Sequence, residues 1–573
     1  MKQLSKVVTV IICIFFTIQP LLYLSVEDIF MNEVAYCITL IFCSSSLTIL
    51  ILIQLLNHKY ETRKINITIV DIAIGLFLLW GIINITITNK WIIDIYALYK
   101  WTAMLSCYLL IRYIPKKQMV AFALLFSGTI QSSIAIIQKI GLASSNHSIF
   151  DVTGSFGNPG QLGGYLTVCL TISLCLLHSI IHNKNRIVKF FILLGCFVQI
   201  YGLLLSDSRA GFVALVIGVT IWFTPYIAAS FKENRMLLYP LIGLVIVVCT
   251  LIYNYRPASA NARLLIWRVS MDMIADNPIL GHGINGFSKK YMLYQADFFE
   301  KSPTSLFATT ADNVSYPFNE LLNITISQGI IGLLLLLLVF FFAFAQCNHN
   351  IIARIFKAGL AALLGFSLFS YPSNVFSILI LFPICLGNIE GRSIFQFNFS
   401  LDLRILCISI LALNIWHAIQ TKKHIKKISF SLTELYRNPN AKNHIDIIDH
   451  LYDSMKYNLS FSSQYMSWLN SRPDMLINDK RIEDVTPSCE GYCLLGKHYQ
   501  ANNDKEMAEY TFRKASNMVP TRIRPKYYLW ELYVMENEVS KAKNIASEIL
   551  EMPGKVESIY TLRIKSLLKK YLE

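Results

Sequence analysis

The chain is built from repeated apolar blocks, each about 20 residues long and separated by short polar loops, and nothing else in it limits the fold as strongly. About 20 helical residues cross a hydrocarbon core roughly 30 Å thick. Within that core every backbone N–H and C=O must find its partner inside the segment, which an α-helix provides. The 573 residues are 54% hydrophobic and only 15% charged, whereas a soluble domain carries about a quarter charged residues. The predicted fold class is all-α, a polytopic membrane helix bundle. Spans are expected near 6–25, 34–56, 66–86, 92–112, 118–139, 161–181, 187–205, 211–230, 236–253, 321–346, 352–370, 374–389 and 402–419, about thirteen in all.

The formal net charge is +15. The basic residues mostly flank the spans, in "HKYETRK", "RYIPKKQ", "HNKNRIVK", "FKENR" and "ARIFK". That distribution follows the positive-inside rule rather than a nucleic-acid surface, and no nucleic-acid partner is expected. Residues 140–160 contain no Lys or Arg. The rule therefore puts the N-terminus in the cytoplasm and the loops at 140–160 and about 254–320 outside. Lys2 and Lys6 precede an apolar run to about Leu24 with no small-residue cleavage site after it, which reads as an uncleaved first span. An odd number of spans puts the C-terminal region outside as well. "KKHIKK" at 422–427 argues the other way, and the odd count is preferred here. The cysteines lie mostly in or beside apolar runs, and Cys489 and Cys493 are four residues apart on an expected helix. No Cys-x-x-Cys pair occurs, so neither a zinc site nor a disulfide framework is expected.

From about Ser429 the composition turns polar with helical periodicity. Tyr492, Leu495, Gly496, Tyr499, Ala508, Phe512, Ala515 and Pro520 follow the spacing of a tetratricopeptide helix–turn–helix unit, and a shift of 34 residues finds a weaker echo at Leu529, Tyr533 and Ala542. The expected domains are a membrane domain at 1–420, a helical linker at 421–487 and tetratricopeptide-like repeats at 488–573. Such repeats usually bind a protein partner, although two of them can form a mere helical cap.

Three outward stretches carry the chemistry. "TGSFGNPGQLGGYL" (153–166) has turn residues that let backbone amides approach a ligand, or it is an ordinary re-entrant loop. "SDSRAGF" (206–212) sets Asp207 and Arg209 at a membrane boundary. A charge there must snorkel, pair or work. A simple Asp207–Arg209 salt bridge accounts for the pair; alternatively the guanidinium fork receives a phosphate or diphosphate. "NARLLIWRVSMDMIADNPILGHGINGFSKKY" (261–291) carries Arg263, Trp267, Ser270 and Ile274 at helical spacing, with Arg268 beside them. Arg263 and Arg268 either face an anion or are solvated. "SYPFNELLNITISQGIIGLLLL" (315–336) opens a span with Asn319 and Glu320. Glu320 either complements a helix N-terminus or serves as a general base.

Together "SRAG", "RLLIW…NPILGHGINGF" and "FNELLNITISQGIIGL" resemble the O-antigen ligase superfamily of bacterial inner-membrane glycosyltransferases, over roughly residues 60–390. The resemblance implies a GT-C-like bundle that moves a glycan from undecaprenyl diphosphate to an acceptor at the periplasmic face. The acceptor is lipid A core, a protein hydroxyl or, in related polymerases, a growing glycan. It implies that Arg209 and Arg263 hold the diphosphate, that no metal or other cofactor is needed, and that the anomeric centre inverts by direct displacement. Many members have His-Asn where this chain has Phe318-Asn319. Phe cannot accept a proton, so the base is Glu320, or His282 of "GHG", or the departing diphosphate needs little help.

A lipid-linked sugar flippase is the reading from another class. It requires charged residues deep in several spans, for which only Asp71, Asp94 and Lys100 qualify. A scaffold that merely anchors the repeats needs one span, not this many.

Overall fold

The computed structural model describes residues 2–24, 30–57, 63–88, 95–180, 185–233, 257–346, 350–389, 391–438, 441–455, 459–470, 486–552 and 558–573. The described chain is a helical bundle with a single two-stranded sheet. The bundle begins with α1 (Lys2–Ile18), α2 (Met31–Asn57), α3 (Ile69–Thr88), α4 (Ile95–Tyr113), α5 (Lys117–Lys139), α6 (Pro159–Ser179), α7 (Arg186–Leu205) and α8 (Arg209–Glu233). Two loop helices follow, α9 (Pro257–Asp276) and α10 (Gly286–Lys301), and then α11 (Glu320–Ala345) and α12 (Ile351–Ser367) return to the bundle.

Eight helices among the described residues are long and apolar enough to cross a membrane, and the chain is a multi-pass membrane protein. The expected spans at 92–112, 211–230 and 352–370 also have helical counterparts. The expected span at 236–253 lies outside the described residues. The one expected at 374–389 is broken into a 3-10 turn at Pro372–Asn374, α13 (Phe376–Leu379) and α14 (Leu381–Asn388). Pro372, which cannot continue a helix from the preceding residues, stands at this break. Phe190, Phe191, Leu193 and Phe197 on α7 are exposed, as side chains facing lipid should be.

Close approach is bought by glycine in the middle of the bundle. A Cβ on Gly163 of α6 would meet Ser208 Cβ at 2.2 Å, and one on Gly211 of α8 would meet Thr167 Oγ1 at 2.9 Å. These contacts seat the first turn of α8 against the first turn of α6. Without a strong hydrophobic drive between helices in lipid, such packing and hydrogen bonds decide the pairing.

The sheet and the outer loop lie at opposite ends of α3. Strands β1 (Arg63–Thr68) and β2 (Ser393–Phe399) pair antiparallel. Asp71, in the first turn of α3, accepts from Thr68 N at 2.7 Å, receives the Tyr108 hydroxyl and pairs with Arg112 at 3.5 Å. At the other end of α3, Asn84 donates to Leu280 O at 2.7 Å and Trp80 to Gln328 O at 3.1 Å. Helix α15 (Leu401–Arg437) starts beside the sheet and is about 55 Å long at 1.5 Å per residue. At Thr421 it meets the Tyr99 hydroxyl at 2.8 Å, at the loop end of α4. Lys422–Lys427 thus follow the point where α15 reaches the outer-loop end of α4.

Beyond it lie α16 (Lys442–Met455) and α17 (Leu459–Asn470), whose Tyr452, Phe461, Tyr465 and Trp468 are buried in one core with Ile428, Leu432 and Leu435 of α15. Five further helices complete the tail: α18 (Cys489–Ala501), α19 (Lys505–Met518), α20 (Ile523–Met535), α21 (Val539–Glu551) and α22 (Ile559–Leu572). Successive helices pack on one another. Ser488, Asp504 and Ser558 cap α18, α19 and α22. A Cβ on Gly496 would meet the Phe512 ring at 2.4 Å, so glycine sets the α18–α19 spacing.

Candidate functional site

Three helix N-termini open toward the loop face. In α6, Asn158 caps with its side chain accepting from Gly160 N, and Pro159 takes the first helical position. In α8 the first residue is Arg209 itself, preceded by Asp207 with φ of 46°. In α11, Asn319 caps by accepting from Leu321 N at 2.9 Å and Leu322 N at 3.1 Å. Helix N-termini present unpaired amides and a partial positive charge, which favour anions.

Arg209 and Arg263 come together here from positions 54 residues apart. Arg209 Nη2 donates to Ser259 Oγ at 3.1 Å, which ties α8 to α9. Burial and the nearby Arg209 push the Arg263 guanidinium below its ordinary pKa. Two like charges held this close are relieved by an anion between them. The Arg263 guanidinium also lies 5.4 Å from the Phe318 ring centroid, within cation–π range.

Phe318 has φ of 53°, a left-handed conformation that costs a non-glycine residue on the order of 1–3 kcal/mol. Its ring makes edge contacts with Tyr316 at 5.2 Å and Tyr371 at 5.3 Å, while Tyr316 and Tyr371 stack at 3.9 Å. Trp267 holds the same segment by donating to Pro317 O at 3.0 Å. Phe318 is therefore part of the arginine's seat.

Below this group lies a cavity of about 1040 Å³. Its polar end is lined by Gln161, Tyr316, Glu320, Tyr371, Ser373 and Lys100, and its apolar end by residues such as Phe340, Phe344 and Leu386. Arg209, Arg263 and Phe318 are not among its lining residues; Arg263 stands beside Tyr371, which lines it. Glu320 is 9% exposed and ties α11 to the turn after α12. It accepts from Ser373 Oγ at 2.6 Å, Ser373 N at 3.3 Å and Asn323 Nδ2 at 3.2 Å. Lys100 donates to Ser373 O at 2.7 Å. A carboxylate offers about four lone-pair directions, so these bonds leave room for one more donor.

The other expected residues stand elsewhere. His282 does not line the cavity. Its Nε2 faces Met273 O at 2.8 Å and must donate, so Nδ1 accepts, with Asn277 Nδ2 at 3.3 Å and Lys290 Nζ at 3.2 Å. The ring stitches the loop helices together. Its turn also plugs a break in α11: Gly329 has φ of 68°, and a Cβ there would meet Ile279 O at 1.8 Å. His282 N donates to Ile326 O at 2.6 Å, Gly283 N to Ser327 O at 3.0 Å and Ile330 N to Pro278 O at 2.8 Å. Asn319 spends its side-chain oxygen on the cap. Arg268 is exposed, about 140° around α9 from Arg263, and is not brought into the site. Tyr316, Tyr371, Ser373 and Gln161 escaped the sequence reading. Their one signal was aromatic and turn residues, as in "SYPSN", at span ends on the loop face.

Residues 194–337 match the family model described as O-Antigen ligase. The matched segment is similar to the O-antigen ligase family. It runs from α7 into α11 and holds Arg209, Arg263, His282 and Glu320. Two relatives carry the name "Putative polysaccharide ligase". The one from Rickettsia prowazekii (strain Madrid E) is 29% identical over 188 residues, 30% of this chain and 42% of the relative. The one from Rickettsia conorii is 31% identical over 179 residues, 28% of this chain and 40% of the relative. The chain thus spans about two fifths of the length of these relatives. No solved structure matches it.

Proposed function

We propose that this chain is a glycosyltransferase. It moves a glycan from undecaprenyl diphosphate to an acceptor hydroxyl at the loop face, which we assign to the periplasmic side of the inner membrane. The observation that carries the reading is the Arg209–Arg263 pair, crowded together at the N-terminus of α8 and at the edge of a cavity that is polar at one end and apolar along its length. A lipid-linked diphosphate has that same division.

In the step proposed, the acceptor oxygen forms a bond to the anomeric carbon as the bond from that carbon to the diphosphate breaks. Glu320 takes the hydroxyl proton and the diphosphate leaves as an anion held by the two guanidinium groups, with inversion and without a metal. Fixed donors aimed at developing charge are usually the largest catalytic contribution. The ligase reading leads over the polymerase because the two relatives are named polysaccharide ligases, and lipid A core and a protein hydroxyl are the acceptors to compare. The flippase reading is weakened by Asp71, which is paired at a helix end rather than stranded mid-span. Asp94 lies outside the described residues.

The test is transfer by the full-length protein, reconstituted with purified undecaprenyl-diphosphate-linked glycan and candidate acceptors, with and without chelator. Product formation is expected, and chelator should not lower it. Donor movement across the bilayer without any new glycosidic bond would replace this reading by the flippase. Labelling of Thr304→Cys by an impermeant thiol reagent in cells with a permeabilised outer membrane is expected, and protection would reverse the assigned orientation.

A further inference from the structure

The C-terminal helices are not a free appendage, because they share a core with the outer loop. Cys489, Met518 and Val519 from the tail are buried with Tyr291, Met292, Ala296 and Phe299 of α10. A polar seam surrounds that core. Lys514 pairs with Asp297 at 2.5 Å and Glu300 at 2.8 Å, and Arg522 pairs with Asp312 at 3.0 Å. Asn313 accepts from Cys489 N at 3.0 Å, and Glu490 receives both Asn313 and Arg522.

One buried residue crosses from this seam toward the cavity. The Gln295 side-chain amide is fully buried and donates to Met518 O at 2.6 Å and to Asp312 O at 3.2 Å. Two carbonyl acceptors fix which end of the amide points at the tail. Its oxygen then accepts the Tyr291 hydroxyl at 2.8 Å. The Tyr291 ring stacks on Phe287 at 4.4 Å with an interplanar angle of 19°, and Phe287 lines the cavity together with Ile284 and Ser288. Helix α10 therefore has the tail on one face and the cavity on the other.

We propose that Gln295 is a positioning residue through which the end of α19 sets the cavity wall, so that docking of the tail governs how the cavity receives its substrate. Solvated ion pairs alone hold little. A buried amide whose donors and acceptor are all matched admits only one register, and a mismatch there is costly. The tail thereby acts on the site from behind, whatever else it binds. The proposal rests on the glycan-transfer reading only for its kinetic readout.

The test uses the full-length protein carrying Ile284→Cys as a reporter on the cavity wall, with the parent lacking that thiol as background. Gln295→Glu keeps the shape but turns a carboxylate toward two carbonyl oxygens. Alkylation of Ile284→Cys should change on the order of 2–30-fold, the range of couplings of this kind. In the transfer assay the same substitution should shift KM more than kcat. Lys514→Glu disrupts the seam from its solvent side and should change alkylation in the same direction. Combining it with Asp297→Lys and Glu300→Lys should restore the original rate. Unchanged alkylation in both Gln295→Glu and Lys514→Glu would overturn the proposal, as would failure of the charge swap to restore it. A changed alkylation rate in a protein that transfers no glycan would support the coupling and remove the function instead.

Discussion

The two ends of α9 carry similar residue types and do opposite things. At the start, Arg263 is crowded by Arg209 and seated on a strained Phe318. Past its end, His282 has both ring nitrogens matched, and its turn is hydrogen-bonded into the break at Gly329. One end gathers like charge and backbone strain, while the other is closed by matched hydrogen bonds. Strain and like-charge crowding persist only where the surroundings enforce them, and they concentrate at functional sites. In this chain that difference separates the residue proposed to meet the substrate from the one that holds the fold.

The comparison breaks first at Glu320, which lines the cavity together with Tyr371, the ring that meets Phe318. Glu320→Gln keeps the size and some hydrogen bonding but cannot take a proton. Transfer should fall about 10²–10⁴-fold, measured as single-turnover rate with saturating donor; near-normal turnover would remove Glu320 as the base. Next, Arg209→Ala and Arg263→Ala should each cost about 10²–10³-fold. Arg209→Lys should also be impaired, because an ammonium lacks the planar fork. Near-normal rates in both alanine variants would end the diphosphate clamp.

Phe318→Leu sharpens the contrast more gently. It keeps much of the volume and loses the ring under Arg263, a contact worth roughly 0.5–2 kcal/mol. The expected result is weaker donor binding with kcat little changed, read from KM for the lipid-linked glycan; a loss confined to kcat would separate Phe318 from the arginine. At the satisfied end the effect on chemistry should be smallest. His282→Gln should transfer at close to the parental rate per folded molecule, with lower thermal stability.

That end also has a pH signature. Burial and Lys290 hold His282 below its ordinary pKa of 6.5, so the folded loop favours the neutral ring. The neutral ring's contribution is fully present above the unfolded value and is lost as pH falls through the folded one. Below about pH 6.5, the parent should lose stability faster than His282→Gln in a thermal melt, and parallel pH profiles would refute that assignment.

Much of this was legible in the residues. Apolar block length specified helices across a bilayer, because a segment in lipid must satisfy its own backbone. The Gly, Arg and Glu motifs marked the loop face, and the arginine pair belonged together by resemblance before the fold brought Arg209 beside Arg263. His282 was legible only as a candidate base in a glycine turn. Nothing local says that Met273 O waits for its proton, or that a break in α11 receives its turn. Arg268 and Arg263 look equivalent in sequence, and their separation around α9 decides between them only once the loop's buried side is known. Tyr316, Tyr371 and Ser373 belong to segments that meet only in the packed bundle.

By itself, then, the sequence determined the fold class, the membrane location and the face on which chemistry is expected, since hydropathy and charge act locally and with fixed periods. Tertiary structure alone decided which polar atoms were already matched, that Phe318 seats an arginine, and that the tail shares a core with the loop. Those are facts about partners, and hydrogen bonds, like-charge crowding and buried cores depend on residues that the chain separates by tens to hundreds of positions.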